Sequence, residues 1–377
     1  NGGKKNDVLH GTPGNDAILG KDGNDSLFGH EGDDYLSGGN GDDYLEGNAG
    51  NDRLFGSSGM DTLLGGDGND ELQGGDGYDE LNGGDGFDVA FYSADDYSIE
   101  VTVLPDGDGD GFSDGFNVHF RQVTLGNGDL GPPPIADEQA LNIEAIVGTY
   151  YDDVMTGADI AERDPSSLSP DGFVNIFDGY YGNDSLTGGD GRDCIYGGGD
   201  DDSIDGAGGD DELHGGSGND SISGGMGDDL ISGGSNAWWE APDQDTIDGG
   251  AGMDTIIGGG GPDDLTGGAD ADTFVYLSAS EGGDTINDFS GSAVGLNGDM
   301  IDLTALNLDG GGKTVAQLLA GGFLFLVDGD KLYVDLDGGG PGEMTDPPDP
   351  VPIFDDVLIA IFTDGGGGFD INNDVLV

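Results

Sequence analysis

A nine-residue period constrains this chain more than any other feature. From Gly11 it reads GTPGNDAIL, GKDGNDSLF, GHEGDDYLS, GGNGDDYLE, GNAGNDRLF, GSSGMDTLL, GGDGNDELQ, GGDGYDELN and GGDGFDVAF, nine consecutive nonamers ending at Phe91. Gly holds places one and four throughout, Asp holds place six, and place eight is aliphatic from Ile18 to Leu81. A unit this short cannot bury an apolar face by itself. Stacked on its neighbours it can, so a strict short period selects a solenoid. Places seven to nine are expected as strand, with the eighth side chain pointing in and the seventh and ninth pointing out. Two nonamers then make one coil, and each repeat lies above the one two before it.

The period breaks after Phe91 and returns. Within 92–147, residues 98–103 and 117–123 alternate polar with apolar or aromatic side chains, as half-buried strands do. A degenerate repeat, GTYYDDVMT, begins at Gly148, and an irregular insertion follows near 157–178. Regular repeats resume at Gly179 and run to Val275, split once by an insertion near 236–242. Residues 276–377 are non-repetitive, with strand-like pieces at 323–327, 331–335 and 357–362 and one short helix expected near 315–319. The expected class is all-β: two parallel β-roll blocks (1–91 and 148–275), a small inserted β segment (92–147) and a C-terminal β cap (276–377).

Composition says what such a roll must bind. Asp and Glu number 78 against 9 Lys and Arg, a formal net charge of -69. A chain this acidic repels itself and is a poor partner for nucleic acid or anionic membrane surfaces. Divalent cations are its natural counterions. The 81 glycines allow tight turns that aim bare carbonyl oxygens at one point. The place-six Asp adds a carboxylate. Mixed hard oxygens of this kind suit calcium, which takes six to eight of them in flexible geometry. His and Cys are too few for zinc. The candidate ligands are Asp16, Asp25, Asp34, Asp43, Asp52, Asp61, Asp70, Asp79 and Asp88 in the first block. In the second they are Asp153, Asp184, Asp193, Asp202, Asp211, Asp220, Asp229, Asp245, Asp254, Asp263 and Asp272. If each ion sits between stacked turns, the two blocks hold about fifteen. Two inward aliphatics per coil are too little to offset the ordering of the chain, so folding and calcium binding are expected as one event.

These repeats resemble the RTX (repeats-in-toxin, haemolysin-type) calcium-binding family; GGDGNDELQ and GGSGNDSIS match its nonapeptide fully. The resemblance extends to the C-terminal part. Residues 283–289 (GDTINDF) and 299–306 (DMIDLTAL) look like the segment that caps such rolls. The final FDINNDVLV looks like an uncleaved type I secretion signal. It implies several bound Ca2+ ions, passage through type I secretion machinery in the unfolded state, and an extracellular or cell-surface location. That route also accounts for the lack of an apolar signal segment after Lys4 and Lys5, and for Cys194 being the single cysteine.

Other motifs are weaker. Asp106, Asp108 and Asp110, followed by Asp114, resemble the start of an EF-hand loop, but the closing Glu would fall at Asn117. The segment is either a further calcium site or a solvated acidic turn. Trp238 and Trp239 either grip a sugar or a neighbouring subunit, or plug the roll locally. GNGDLG at Gly126 and the Gly-Lys-Thr at Gly312 lack the context of phosphate-binding loops. His10, His30, His119 and His214 are scattered, no GxSxG elbow occurs, and no run of apolar residues suffices for a transmembrane helix. The leading expectation is a non-enzymatic structural or interaction protein, such as a surface-layer, filament, matrix or adhesin subunit, that self-associates or contacts a cell-surface glycan. The alternative is the secretion and folding module of an RTX enzyme or toxin whose effector domain lies elsewhere. A third reading is a soluble calcium sequestrant.

Overall fold

The computed structural model describes residues 1–77, 79–92, 98–103, 115–121, 138–141, 145–157, 173–234, 243–277, 283–289, 298–303, 324–327, 331–335, 356–362 and 375–376. Every element among them is β, and none is a helix. No helix long and apolar enough to cross a membrane occurs among the described residues. The segment expected as a short helix near 315–319, the acidic turn at 106–110 and the tryptophan pair lie outside them. Two compact units divide the chain, Asn1–Gly199 and Asp200–Val377.

In the first unit the nonamers alternate between two parallel sheets. Ser26–Glu31, Tyr44–Ala49, Thr62–Asp67 and Glu80–Asp85 stack on one face; Ala17–Asp22, Tyr35–Asn40, Arg53–Ser58 and Glu71–Asp76 stack on the other. Like places pair with like: Leu27 with Leu45, Leu45 with Leu63, Leu63 with Leu81, and on the second face Ile18 with Leu36 and Leu36 with Leu54. Repeat n therefore lies on repeat n−2. The place-eight leucines from Leu27 to Leu81 are fully buried, and the two rows form a core one side chain thick from each sheet.

The strands are six residues long, twice the expected length. They run from place seven through place three of the next nonamer, because the place-one glycine continues the extended chain and takes an inward position. Turning happens at places two and four, where φ is positive: Gly39 at 115° and Gly41 at 126°, for example. Lys21, His30, Asn48 and Ser57 adopt the same left-handed conformation at place two. It is uncommon outside glycine and is imposed here by the stack above and below.

Where the period stops after Phe91, the two faces behave differently. On one, Val89–Phe91 pairs directly and in parallel with Ala145–Val147, which pairs with Ile176–Asp178. On the other, Glu138–Leu141 lies parallel on Glu80–Asp85, then Gly115–Arg121 and Ser98–Val103 follow antiparallel, and Val154–Thr156 resumes the parallel order. The two strands read from alternation are thus a hairpin spliced into one sheet.

The second unit repeats the first block's pattern with Ile204, Ile222, Ile247, Leu265 and Ile286 stacked along one face. Ile231, Ile256, Phe274 and Ile301 stack along the other. The insertion after Gly234 leaves the register intact: Ser221 still faces Thr246. At the far end Asp356–Phe362 adds in parallel to Asp284–Ile286, and Lys331–Asp335 and Leu324–Val327 continue antiparallel.

Candidate calcium sites along the aspartate ladders

Each place-six Asp stands where the turn enters the strand, and its carboxylate is drawn inward. From Asp25 to Asp88 these residues are at most 3% exposed. Their Oδ1 atoms form a ladder. Asp25 N–H donates to Asp43 Oδ1 at 2.6 Å, Asp43 to Asp61 at 2.7 Å and Asp61 to Asp79 at 2.8 Å. A second ladder runs through Asp34, Asp52, Asp70 and Asp88 at 2.7–2.8 Å. In the second unit Asp202, Asp220, Asp245, Asp263 and Asp284 form one ladder, and Asp211, Asp229, Asp254, Asp272 and Asp299 the other, at 2.8–3.1 Å.

The second carboxylate oxygen stands outside the ladder bonds. Oδ2 of Asp25, Asp34, Asp43, Asp52, Asp61 and Asp70 is buried without a hydrogen-bond partner, as are those of Asp220, Asp229, Asp245, Asp254, Asp263, Asp272 and Asp284. Beside that of Asp25, Asp34, Asp52, Asp61, Asp70, Asp220, Asp229, Asp245 and Asp254 lies the carbonyl of a place-one glycine from the next turn. A methyl placed on Gly20 would sit 2.6 Å from Gly38 O and against Asp25 Oδ2; the same convergence recurs at Gly47 with Asp52 and Gly65, and at Gly224 with Asp229 and Gly249. Two acceptors therefore converge with no donor between them. Leaving a charged acceptor buried in this way is costly unless a cation answers it. Burial pushes the carboxyls of Asp43, Asp52, Asp220, Asp229 and Asp254 up to about 6. It pushes Asp61, Asp70 and Asp272 to about 7, and Asp245 and Asp284 to about 8. Repulsion from stacked carboxylates adds to burial, and the ladder N–H opposes both. Carboxylate and carbonyl oxygens in a turn of bare backbone are a donor set that calcium accepts. When bound, calcium supplies the positive charge and the coordination these oxygens lack. The chain's own part is to hold one oxygen of each pair by the ladder N–H and to aim the other at the carbonyl of the turn above.

The remaining predicted residues have these places. Asp184 and Asp193 are buried and accept the N–H of Asp153 and Asn175 at 2.7 and 2.8 Å. Asp16 and Asp153 differ from the rest. The Asp16 Oδ2 accepts Thr12 N–H, and the Asp153 Oδ2 accepts Thr149 N–H at 2.7 Å. Asp106, Asp108 and Asp110 lie outside the described residues.

Several contributors were missed from sequence. Asp7, Asp284 and Asp299 extend the ladders. Each keeps Asp at place six and an aliphatic at place eight, the trace that could have found them. Asp243 is a further buried carboxylate, at 3% exposure, whose charge raises Asp220, Asp245 and Asp263. Place five carries a ladder of its own. Asn24 N–H donates to Asn6 Oδ1, Asn51 to Asp33, Asn69 to Asn51 and Asp228 to Asp210, at 2.9–3.1 Å. It runs opposite to the place-six ladder, the later turn donating to the earlier. Recurrent Asn or Asp at place five was its signal.

A parallel roll whose turns converge buried carboxylates and carbonyls on single points has the architecture of a calcium-binding β-roll. The family model for the RTX calcium-binding nonapeptide repeat (4 copies) matches residues 1–27, 19–54, 28–63, 55–90, 171–204, 178–213, 205–237 and 242–274, together just over half of the chain. The chain belongs to this family, and its repeats bind multiple calcium ions. Among solved structures, the extracellular lipase LipA from Serratia marcescens is similar at 13% identity and a TM-score of 0.16, over 93% of this chain and 40% of the lipase chain. This chain thus spans less than half of that protein's length. No curated protein matches it.

Proposed function

We propose that this is an extracellular structural or interaction protein, not an enzyme, exported unfolded by a type I route and folded by the calcium it meets outside. The observation that carries this reading is the run of oxygen pairs without donors in both units. A chain whose core polar groups are satisfied only by cations is competent for export where calcium is scarce and becomes rigid where it is plentiful. The separate buried carboxylates have neighbours that are further ladder rungs, an arrangement that serves metal ligation and not acid–base chemistry.

The interaction half of the proposal draws on the surface. Most outward places hold short polar or acidic groups that repel a like copy. Tyr150, Tyr180 and Tyr181 depart from this. Tyr150 and Tyr181 are 54% and 48% exposed and lie parallel with centroids 5.5 Å apart, and Tyr150 Oη is 3.1 Å from Tyr180 Oη. Exposed, mutually braced aromatics are the usual energetic centres of interfaces.

The full chain, followed by circular dichroism, should lose its β signal in chelator and recover it in millimolar calcium. At fixed calcium, light scattering or retention on immobilised glycans should weaken by several-fold when Tyr150 and Tyr181 are both replaced by Ser. A chain that stays folded in excess chelator refutes the folding half. A parent that is monomeric and binds no surface refutes the interaction half.

A further inference from the structure

The ladders in the first unit start twice, once at the beginning of the chain and once where the repeats resume after the inserted segment. At all four starts the group facing the next turn is answered by the protein itself. Asp7 Oδ2 accepts Gly3 N–H at 2.7 Å, and Asp16 Oδ2 accepts Thr12 N–H and, at 2.8 Å, the Thr12 hydroxyl. Asp153 Oδ2 accepts Thr149 N–H at 2.7 Å, and its Oδ1 accepts the Thr149 hydroxyl at 3.1 Å. The fourth start has no carboxylate at all. Asn175 occupies place six, fully buried, and its backbone N–H makes the ladder bond to Asp193 Oδ1 at 2.8 Å.

Asn175 stands in the same relation to its surroundings as an aspartate of a regular rung. A methyl on Gly157 would meet Asn175 Nδ2 at 2.6 Å and press against Gly188 O, just as one on Gly20 meets Asp25 Oδ2 and Gly38 O. One atom has changed. In the regular rung an oxygen faces the glycine carbonyl; here an amide nitrogen does. Nδ2 donates to Gly188 O at 3.2 Å and to Asp193 Oδ1 at 2.7 Å. Both partners are acceptors, so only the NH2 end of the amide can face them. An oxygen pair that needs a cation has become a hydrogen bond that needs none. The flanking place-five position is also rebuilt. Arg192 stands where Asn or Asp recurs, and its guanidinium lies 4.3 Å from the centroid of the Phe173 ring.

We propose that the Asn175–Gly188 rung is closed by the amide in place of calcium, and that with the Thr149–Asp153 turn it forms a metal-free staple where the repeats resume. The donor set there does not fit a calcium ion: the position is filled by hydrogen-bond donors. Calcium loading of the first block and of the repeats that follow is then interrupted at this staple, and each segment loads as its own cooperative stretch. The inference rests on the regular rungs taking calcium.

The test counts bound calcium per full-length chain by native mass spectrometry and follows calcium-induced folding by circular dichroism, for the parent, Asn175→Asp and Asp70→Asn. Asp70→Asn should lose one ion yet keep its fold, since its amide can donate to the Gly83 carbonyl as Asn175 does to Gly188. An unchanged count in Asp70→Asn refutes the calcium reading of the regular rungs themselves. Asn175→Asp restores two facing acceptors. It should gain one ion, or keep the parent's count while needing several-fold more calcium to fold. A loss of one ion, or no change in either count or midpoint, overturns the proposal while leaving that reading intact. Should Asn175→Asp fail to fold even in excess calcium, Thr149→Pro decides. It removes both the N–H and the hydroxyl that Asp153 accepts and leaves Asp153 Oδ2 facing Gly179 O, so a gain of one ion supports the staple and an unchanged count overturns it.

Discussion

Replacing Gly65 by Ala tests the rung geometry with a single methyl group. Gly65 is a buried place-one glycine whose φ is not in the left-handed region, so backbone preference does not enter. Its Cβ would stand 2.5 Å from Gly83 O and against Asp70 Oδ2. Those are the two oxygens that converge on one rung. Relief requires rotating the Asp70 carboxylate out of the ladder bond in which its Oδ1 accepts Asp52 N–H, or shifting the Gly83 peptide within a parallel sheet. Overpacking of this kind costs about 1–3 kcal/mol before any loss of metal. For a unit the size of Asn1–Gly199 each kcal/mol shifts Tm by about 2–4 °C. A fall of about 2–12 °C in millimolar calcium is therefore expected, with one ion fewer per chain. Asp67→Ala, at an exposed place three, is the control and should leave both unchanged. Differential scanning calorimetry and calcium counting read the two effects separately. If Gly65→Ala matches the control in both, the methyl has room, and the convergence of the two oxygens on that point is wrong.

Three further outcomes follow from the same structure. Burial lifts the carboxyls of Asp52, Asp61 and Asp245 from the ordinary 3.8 to about 6, 7 and 8 in the metal-free fold, so the stability from their protonated form is complete below about pH 4 and is lost as pH rises through about 6–8. Chelated chain should accordingly gain β signal at pH 4–5 and lose it by pH 8, and calcium affinity should fall on acidification; spectra that do not change with pH in chelator would contradict this. Leu63→Ala removes a fully buried side chain stacked between Leu45 and Leu81 and should cost about 2–5 kcal/mol, whereas Leu19→Ala, at 36% exposure, should cost little; equal calcium-induced folding midpoints for the two would argue against the core described. Because stacked repeats couple only to their neighbours, Leu63→Ala should also leave the hydrogen-exchange protection of Ile222 and Ile247 unchanged in calcium, and a loss of protection there would show coupling across the whole chain.

Periodicity made the roll legible because every copy votes for the same answer. Place eight was expected as core and place six as ligand; Leu27 through Leu81 form the core, and Asp25 through Asp88 are buried at the turns where a ligand would stand. Strand length was not legible. A glycine at place one reads as a breaker, yet between fixed sheets it simply extends the strand, and the six-residue Ser26–Glu31 includes one. The place-five ladder was visible as a bias but not as a bond, since the direction of its hydrogen bonds depends on how stacked turns sit. Asn175 was hidden for a different reason. It lies in a stretch, 157–178, where an insertion separates it from its place-one Gly157 and Phe173 takes the place-four position, and Asn in place of Asp removes the last cue. The one-sided splice of Ser98–Val103 and Gly115–Arg121 was hidden as well, because alternation marks strands without saying which edge receives them.

The regular rungs carry a weakness that the irregular ones remedy. A stack of near-identical nonamers can slip by a whole coil with little change in energy, since Leu still meets Leu and Asp still meets Asp; such degeneracy invites misregistered pairing. Calcium cannot correct this, because every slipped rung presents the same oxygens. Position-specific contacts can. Arg192 lies over the Phe173 ring, and Tyr150 meets Tyr180 and Tyr181 only when the Gly148 repeat lies against the Gly179 repeat. Thr149 folds its N–H onto Asp153, as Gly3 and Thr12 do onto Asp7 and Asp16. These residues cluster where the chain returns from its longest departures, the places at which a register must be chosen afresh. Metal holds the turns together once they are aligned, and the departures from the repeat determine which alignment it holds.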